Sequence, residues 1–157
     1  MATVAVAGPD DVQALVVLMA QLFRDDGGRY GTHVAITWPI REGLDHYTAL
    51  SANPSWLLLV ARDNDVIIGM LVGHVSEPSP TRQPVRFAVL QSMYVETEYR
   101  SRGIGGLLAQ RFLDWAREHQ CVEAIVNAYV ANEKAQRFYV EHGFVGQSLE
   151  LTLALRS

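Results

Sequence analysis

Apolar residues recur at two spacings along the chain, and each spacing predicts a type of element. Between the acidic pair Asp10 and Asp11 and the polar segment 25–28, apolar residues return every three or four positions, which predicts an amphipathic helix. Its apolar stripe consists of Val12, Leu15, Val16, Met19, Leu22 and Phe23. A shorter helix is predicted over residues 40–50.

Alternating, β-branched segments predict a set of strands. They cover residues 3–7, 56–61, 66–75, 85–95 and 124–130, with one or two more over residues 144–155. The second and third flank Asp63, Asn64 and Asp65, which is typical of a β-hairpin. Gly69 and Gly73 predict bulges or close contacts in its second strand.

Two helices are predicted in the second half of the chain. One begins at Gly103, and the other runs from Asn132, a good helix cap, to His142, with Gly143 at its end. The resulting order β-α-α-β-β-β-α-β-α-β-β predicts the α/β (α+β) class, with helices on the faces of a mixed sheet.

Composition restricts the kinds of partner. The 157 residues carry 13 Lys and Arg against 17 Asp and Glu, and 49% are hydrophobic, which predicts one packed domain over residues 1–157. The acidic balance and the lack of a basic tract argue against nucleic acid. The longest apolar run, residues 14–20, is too short to span a membrane. The start of the chain lacks the basic flank of a secretory leader, and Cys121 is alone, so we expect a cytoplasmic protein.

A strand, a polar turn and a glycine-rich helix start follow one another over residues 93–108. Gly103, Gly105 and Gly106 leave the first helical amides unobstructed, which suits a phosphate group, and Arg100 and Arg102 add positive charge. The nucleoside-triphosphate loop is excluded because no Lys-Ser or Lys-Thr pair follows the glycines. Leu108 occupies the third glycine position of the dinucleotide fingerprint and excludes that motif too. A tight turn without a ligand is the alternative.

A second motif lies downstream. Arg100-x-x-Gly103-x-Gly105 is followed by Asn132-x-x-Ala135-x-x-Phe138-Tyr139-x-x-x-Gly143-Phe144. With these two motifs in this order, the chain resembles the GNAT acyltransferase superfamily, whose members transfer an acyl group from coenzyme A to an amine.

The resemblance implies a fold and a donor. The fold would be a mixed, mostly antiparallel sheet of six to seven strands, flanked by about four helices, with a splayed central strand pair. The acyl donor would be acetyl-CoA. Its pantetheine arm would pair with the backbone of Met93, Tyr94 and Val95, and Asn132 would contact that arm or hold the splayed strand. An N-cap role alone is the alternative for Asn132. The diphosphate would lie on the amides of Ser101, Arg102, Gly103, Ile104, Gly105 and Gly106.

Two residues are candidates for catalysis. Tyr139 would face the thioester sulfur and donate a hydrogen bond or proton to it as it departs, whereas packing against Phe138 is the structural alternative. A backbone N–H near Met93 would stabilise the oxyanion. Glu96 is the candidate base, directly or through water, and a solvated turn carboxylate is the alternative. The histidines show no metal-ligand spacing, so we expect no metal.

The acceptor is expected on the first half of the chain. Residues 1–84 hold nine acidic residues against five arginines, which favours a cationic amine. The acceptor candidates are Phe23, Asp26, Tyr30, Trp38 and Asn127, with a polar loop and strand packing as the alternative. The acceptor would be a small-molecule amine or a peptide N-terminus, and the resemblance implies a homodimer.

Three functions compete. The first is an N-acetyltransferase in which the amine attacks acetyl-CoA directly in a ternary complex. The second is a non-catalytic sensor of CoA or acyl-CoA, against which the presence of Tyr139 counts. The third is an interaction protein without a ligand, which the combination of Arg100, Gly103 and Gly105 disfavours.

Overall fold

The computed structural model describes residues 1–77 and 79–156. The chain divides into two compact units, residues 1–127 and residues 128 onward, which we describe separately. The prediction of a single domain over residues 1–157 stays a prediction.

The larger unit contains one mixed sheet of five strands, in the spatial order β1-β2-β3-β4-β5. Neighbours from β1 to β4 are antiparallel, and β5 runs parallel to β4. The strands are β1 (Ala2–Val6), β2 (Trp56–Asp63), β3 (Val66–Ser76), β4 (Arg86–Val95) and β5 (Cys121–Val126).

The helices follow the predicted order. They are α1 (Val12–Leu22), α2 (Gly28–Tyr30), α3 (Trp38–Ser51) and α4 (Ile104–Glu118) in the larger unit and α5 (Glu133–Glu141) in the smaller one. Short 3-10 turns cover Pro9–Asp11 and Thr97–Tyr99, and a π-helical segment, Phe23–Gly27, extends α1. Asp11 accepts hydrogen bonds from the Gly8 amide and from Arg62, which fixes the start of α1 on β2.

The sheet separates two apolar layers. One face buries Leu58, Val60, Met70 and Val72 against α1 and the Tyr47 ring of α3. On the other face α4 packs against β3, and a Cβ built at Gly73 would lie 2.6 Å from the Phe112 ring. Because side chains alternate between the two faces along a strand, β3 contributes residues to both apolar layers.

Both glycines of β3 lie at irregular or close-packed positions, as predicted. The β3–β4 register shifts between Val72 and Gly73. The β2–β3 register shifts beside the Ala61–Gly69 pair. A Cβ at Gly69 would also lie 3.3 Å from the Cβ of Ala61, which is a close contact.

The predictions for the end of the chain were wrong in two places. Within the described residues the sheet has five strands instead of six to seven, because residues 144–155 form no strand. Their alternation fits a strand, but a strand also needs a hydrogen-bonded neighbour. Strand β5 covers Cys121–Val126 instead of residues 124–130, because it pairs with β4 only from Arg86 to Leu90. Asn127 and Tyr129 therefore lie beyond its end.

The smaller unit is built around α5. The Asn132 side chain accepts a hydrogen bond from the Ala135 amide at 3.1 Å and so caps the helix, as predicted. The Gln136 side chain donates to the Val130 carbonyl at 2.6 Å and closes the preceding loop onto α5. Gly143 ends the helix in the left-handed region, with φ of 96°.

Candidate active site

Strands β4 and β5 pair over only part of the length of β4. Their register stops at Leu90 opposite Val126, whereas β4 continues beside β3 to Val95. The Glu96 amide donates to the Ile68 carbonyl on β3, and backbone groups alternate in direction along an antiparallel strand. Met93 and Val95 therefore direct their backbone groups away from β3, toward the side where the β5 pairing has ended. The pairing of β4 with β5 thus ends before β4 does, as expected for the splayed strand pair that the resemblance implied.

A tight turn carries the chain from the end of β4 into α4. The Tyr99 amide donates to the Glu96 carbonyl at 2.9 Å, and the Arg100 amide donates to the Thr97 carbonyl at 3.3 Å. Ser101 and Gly103 then adopt left-handed conformations, with φ of 63° and 80°. Gly103 suits this position because it has no Cβ to strain the left-handed backbone.

The first turn of α4 presents its amides without a side-chain cap. Gly103 occupies the N-cap position, and the Leu107 amide is bonded to its carbonyl. A Cβ at Gly103 would have no neighbour within 4 Å, so the space in front of the helix is open. Uncapped amides and the positive end of the helix dipole attract a phosphate. The residues predicted to bind the diphosphate, Ser101 to Gly106, thus lie together at the helix start and fit that group.

The two arginines of the turn have different positions. The Arg102 guanidinium lies 5.2 Å from the centre of the Tyr99 ring, and the Arg102 residue is exposed. Arg100 turns back to β4, where its Nε donates to the Val95 carbonyl at 2.8 Å. Arg102 is therefore the more accessible cation beside the helix start.

Residues of the π-helical segment reach the end of β4. The Tyr94 hydroxyl donates to Asp25 Oδ2 at 2.8 Å. Desolvation and the neighbouring Asp25 charge raise the pKa of Asp26. Sequence analysis missed the Tyr94–Asp25 contact, because 69 positions separate the two residues and no pattern of spacing connects them. A π-helical turn is itself frequent at functional sites.

The acceptor candidates are only partly brought together. The Phe23 and Trp38 rings stack with centroids 6.3 Å apart, and Asp26 belongs to the same segment as Phe23. Tyr30 lies on α2, with the Arg29 guanidinium 6.0 Å from its ring centre. Asn127 is exposed just past the end of β5.

The two catalytic candidates lie in different units. Glu96 follows Val95 directly and is half-buried. Tyr139 lies on α5 in the smaller unit, where its ring contacts those of Phe138 and Phe144 at centroid distances of 5.2 and 5.6 Å. The packing contact with Phe138 is thus present, and the roles of Tyr139 and Asn132 toward acetyl-CoA stay predictions.

Two other features are absent from the described part of the chain: a group of metal ligands and a membrane-spanning helix. Residues 1–77 and 79–156 contain no group of three or more His, Cys, Asp or Glu side chains placed to hold a metal ion. Over the same residues, none of the helices combines the length and the apolar character that crossing a membrane requires.

The sequence profile of the Acetyltransferase (GNAT) family matches residues 19–144, which is most of the chain. The chain belongs to this family. This GNAT protein is 27% identical over 59 residues to streptothricin acetyltransferase A of Bacillus subtilis (strain 168). That match covers 38% of the chain and 34% of the relative, so the chain spans about a third of the length of the curated relative it matches.

Solved structures show the same fold. A mutant BH1408 protein from Bacillus halodurans superposes with a TM-score of 0.89 at 21% identity, over 98% of this chain and 99% of that one. The aminoglycoside N-acetyltransferase AAC(6')-Iy in complex with CoA superposes with a TM-score of 0.81 at 14% identity, over 100% of this chain and 96% of that one. Membership of the GNAT family, shown by the profile match, is what the two sequence motifs predicted.

Proposed function

We propose that this GNAT protein transfers the acetyl group of acetyl-CoA to a primary amine, by direct attack of the amine in a ternary complex. The observation that carries the proposal is the uncapped, glycine-rich start of α4 next to the splayed end of β4. One feature suits an anionic diphosphate and the other suits an extended amide-bearing arm.

The donor site would consist of backbone groups supported by the charge of Arg102. The amides of residues 101–106 would bind the diphosphate, and the outward-facing backbone groups of Met93 and the amide of Val95 would pair with the pantetheine arm. Arg102 would add charge beside the diphosphate. In the smaller unit, Asn132 would contribute to holding the arm in addition to capping α5.

The chemistry requires charge stabilisation and proton transfer. Acetyl-CoA supplies a thioester, and attack by an amine places negative charge first on its carbonyl oxygen and then on the departing sulfur. A backbone N–H near Met93 would stabilise the charge on oxygen. Tyr139 would donate to the sulfur, and Glu96 would accept a proton from the incoming ammonium, directly or through water.

The acceptor would be a small-molecule amine or a peptide N-terminus. Asp26 supplies negative charge, and the stacked Phe23 and Trp38 rings supply an aromatic surface. Such a combination attracts a cationic amine. Streptothricin acetyltransferase A and the aminoglycoside N-acetyltransferase carry small-molecule acceptors in their names, which favours that class. We further propose a cytoplasmic homodimer.

A non-catalytic sensor of CoA is the second candidate. The same α4 start would serve it, but it would need no group to protonate a leaving sulfur. Thiol release from acetyl-CoA in the presence of a panel of primary amines separates the two functions. An enzyme releases free thiol with at least one amine, and a sensor binds acetyl-CoA and releases none.

Calorimetric titration with acetyl-CoA tests the donor site, using the wild type and a matched pair at Gly103. Gly103→Glu and Gly103→Gln impose the same left-handed strain and fill the same open space, and they differ only in charge. We expect the wild type to bind saturably and Gly103→Glu to bind at least about tenfold more weakly than Gly103→Gln, because a carboxylate repels the diphosphate.

Salt provides an internal check on this comparison. The difference between the two variants should shrink as ionic strength rises, since added ions screen the repulsion. Equal affinities of Gly103→Glu and Gly103→Gln at low salt would remove the diphosphate from this helix start. A folded wild type that does not bind acetyl-CoA would overturn the proposed function.

A further inference from the structure

Three side chains from separate parts of the larger unit form a continuous set of contacts, which we call the Tyr94 cluster: Asp25, Tyr94 and Arg100. The Tyr94 hydroxyl donates to Asp25 Oδ2 at 2.8 Å. The Arg100 guanidinium lies 5.1 Å from the centre of the Tyr94 ring, within the range of a cation–π contact. The Arg100 Nε donates to the Val95 carbonyl at 2.8 Å.

The position of Arg100 gives this cluster its importance. Arg100 directly precedes the segment in which Ser101 and Gly103 adopt left-handed conformations before α4 begins. Left-handed residues other than glycine cost about 1 kcal/mol and persist only where the surroundings hold them. The Arg100 side chain is anchored to β4 by its hydrogen bond to Val95 and its contact with the Tyr94 ring, and its charge also acts on Asp26. Together with the backbone bonds of the turn, this anchoring holds the segment that leads into α4.

The core holds Tyr94 in turn. Its side chain belongs to the apolar layer under α1, and only 7% of the residue is exposed. Desolvation and the hydrogen bond to Asp25 raise the pKa of Tyr94, against smaller opposing effects of Arg100 and Thr97. The phenol thus stays neutral and keeps a proton to donate to Asp25.

Because Asp25 is exposed, its substitution can distinguish a positioning role at the acetyl-CoA site from a general contribution to stability. Asp25 is exposed, so loss of its carboxylate leaves no buried charge or cavity. A purely structural role would then lower the stability of Asp25→Ala, because the Tyr94 hydroxyl loses this acceptor, and would leave the affinity for acetyl-CoA unchanged. An effect on the acetyl-CoA site requires that the contact act through Tyr94 and Arg100.

We propose that Asp25 and Tyr94 are positioning residues for the acetyl-CoA site: they hold Arg100 against β4 and so fix the turn that presents the α4 amides. This inference rests on the proposed function. It also connects the π-helical segment on the acceptor side to the donor site through three side chains.

The test measures acetyl-CoA affinity calorimetrically in the full chain, for Tyr94→Phe, Asp25→Ala and the double variant. We expect each single variant to raise the Kd about 5- to 30-fold, because part of the free energy of a hydrogen bond to a charged group is lost at the acetyl-CoA site. The double variant should bind no more weakly than either single one, because both changes break the same contact. The KM for acetyl-CoA should rise with the Kd, while kcat at saturating acetyl-CoA changes less than about twofold.

Two comparisons complete the design. Tyr47→Phe removes a hydroxyl from the same apolar layer, where burial raises the pKa of Tyr47 to about 12, and should leave the acetyl-CoA Kd unchanged. Asp25→Asn retains an oxygen that can accept from Tyr94 and should recover part of the affinity.

The possible failures are distinguishable. If the wild type binds acetyl-CoA and Asp25→Ala binds it equally well, the positioning role is wrong and the proposed function stands. Independent, additive losses in the double variant would also overturn the positioning role. If the folded wild type does not bind acetyl-CoA, the proposed function itself fails.

Discussion

The chemistry proposed for Tyr139 depends on one hydroxyl group. Tyr139 occupies the tyrosine position of the second sequence motif, and its ring packs between those of Phe138 and Phe144. A phenylalanine preserves this packing surface and removes only the hydroxyl. The substitution therefore separates a chemical role from the structural alternative that the sequence left open.

We expect Tyr139→Phe to lower kcat about 10- to 1000-fold while the Kd for acetyl-CoA stays within about twofold of the wild type. The reason is that a departing thiolate then lacks its hydrogen-bond and proton donor. Steady-state kinetics with a responsive amine and calorimetry measure the two quantities. Tyr129→Phe, in the same unit but outside the motif, is the matched control. An unchanged kcat would remove Tyr139 from the mechanism.

At the level of residues, the sequence predicted local features of the chain better than contacts between residues far apart in the sequence. Gly103 is predictable because the left-handed backbone at the helix start favours glycine, and this glycine stands at a fixed position of the first motif. Asn132 is predictable because an N-cap is a local feature. The Tyr94–Asp25 contact is not, because only the folded sheet and the π-helical segment bring the two together.

Packing between β3 and α4 sets how the donor helix lies on the sheet. The Phe112 ring is fully buried and fills the space that the missing side chain of Gly73 leaves. A Cβ at Gly73 would lie 2.6 and 2.8 Å from two ring atoms and 3.1 Å from the Val89 carbonyl. Glycine is required here by close approach, since no positive φ is recorded for Gly73.

We expect Gly73→Ala to destabilise the fold by about 1–3 kcal/mol, because a packed ring and a strand carbonyl must move. Gly69→Ala, on the same strand, should cost less, since its nearest contact would be 3.3 Å. Urea unfolding of both variants measures the difference. Phe112→Leu combined with Gly73→Ala should lose less than the sum of the single changes. Equal destabilisation by Gly69→Ala and Gly73→Ala would contradict this account.

Helices and strands were predictable where the spacing of apolar residues and the residues that end an element agree, as for α1, α3, α5 and the β2–β3 hairpin. Prediction failed where pairing with a neighbouring strand sets the bounds of a strand. The bounds of β5 follow from its pairing with Arg86 through Leu90, which no local pattern in residues 121–130 contains. Residues 144–155 show the opposite case, with a strong strand pattern but no strand in the described structure.

This final segment bears on the assembly of the whole molecule. Leu149, Leu151, Leu153 and Leu155 alternate with other residues, and each is at least two-thirds exposed. An alternating apolar stripe of this kind is typical of a segment that pairs with, or is covered by, another chain. The homodimer that we propose would supply that chain as a second copy.

We expect the protein to sediment with an apparent mass twice the 17.4 kDa of one chain. The Leu151→Glu variant should shift this apparent mass toward that of one chain. A charge on the apolar stripe must be desolvated in the dimer, so association weakens. Thr152→Glu places the same charge on the polar side of the same segment and should leave the dimer intact. Sedimentation velocity over a range of concentrations measures the masses, with circular dichroism to confirm folding. Because the segment would join two copies, dilution should dissociate the Leu151→Glu variant at concentrations where the Thr152→Glu variant stays dimeric. If the wild type has the mass of one chain at every concentration, no second copy covers the stripe.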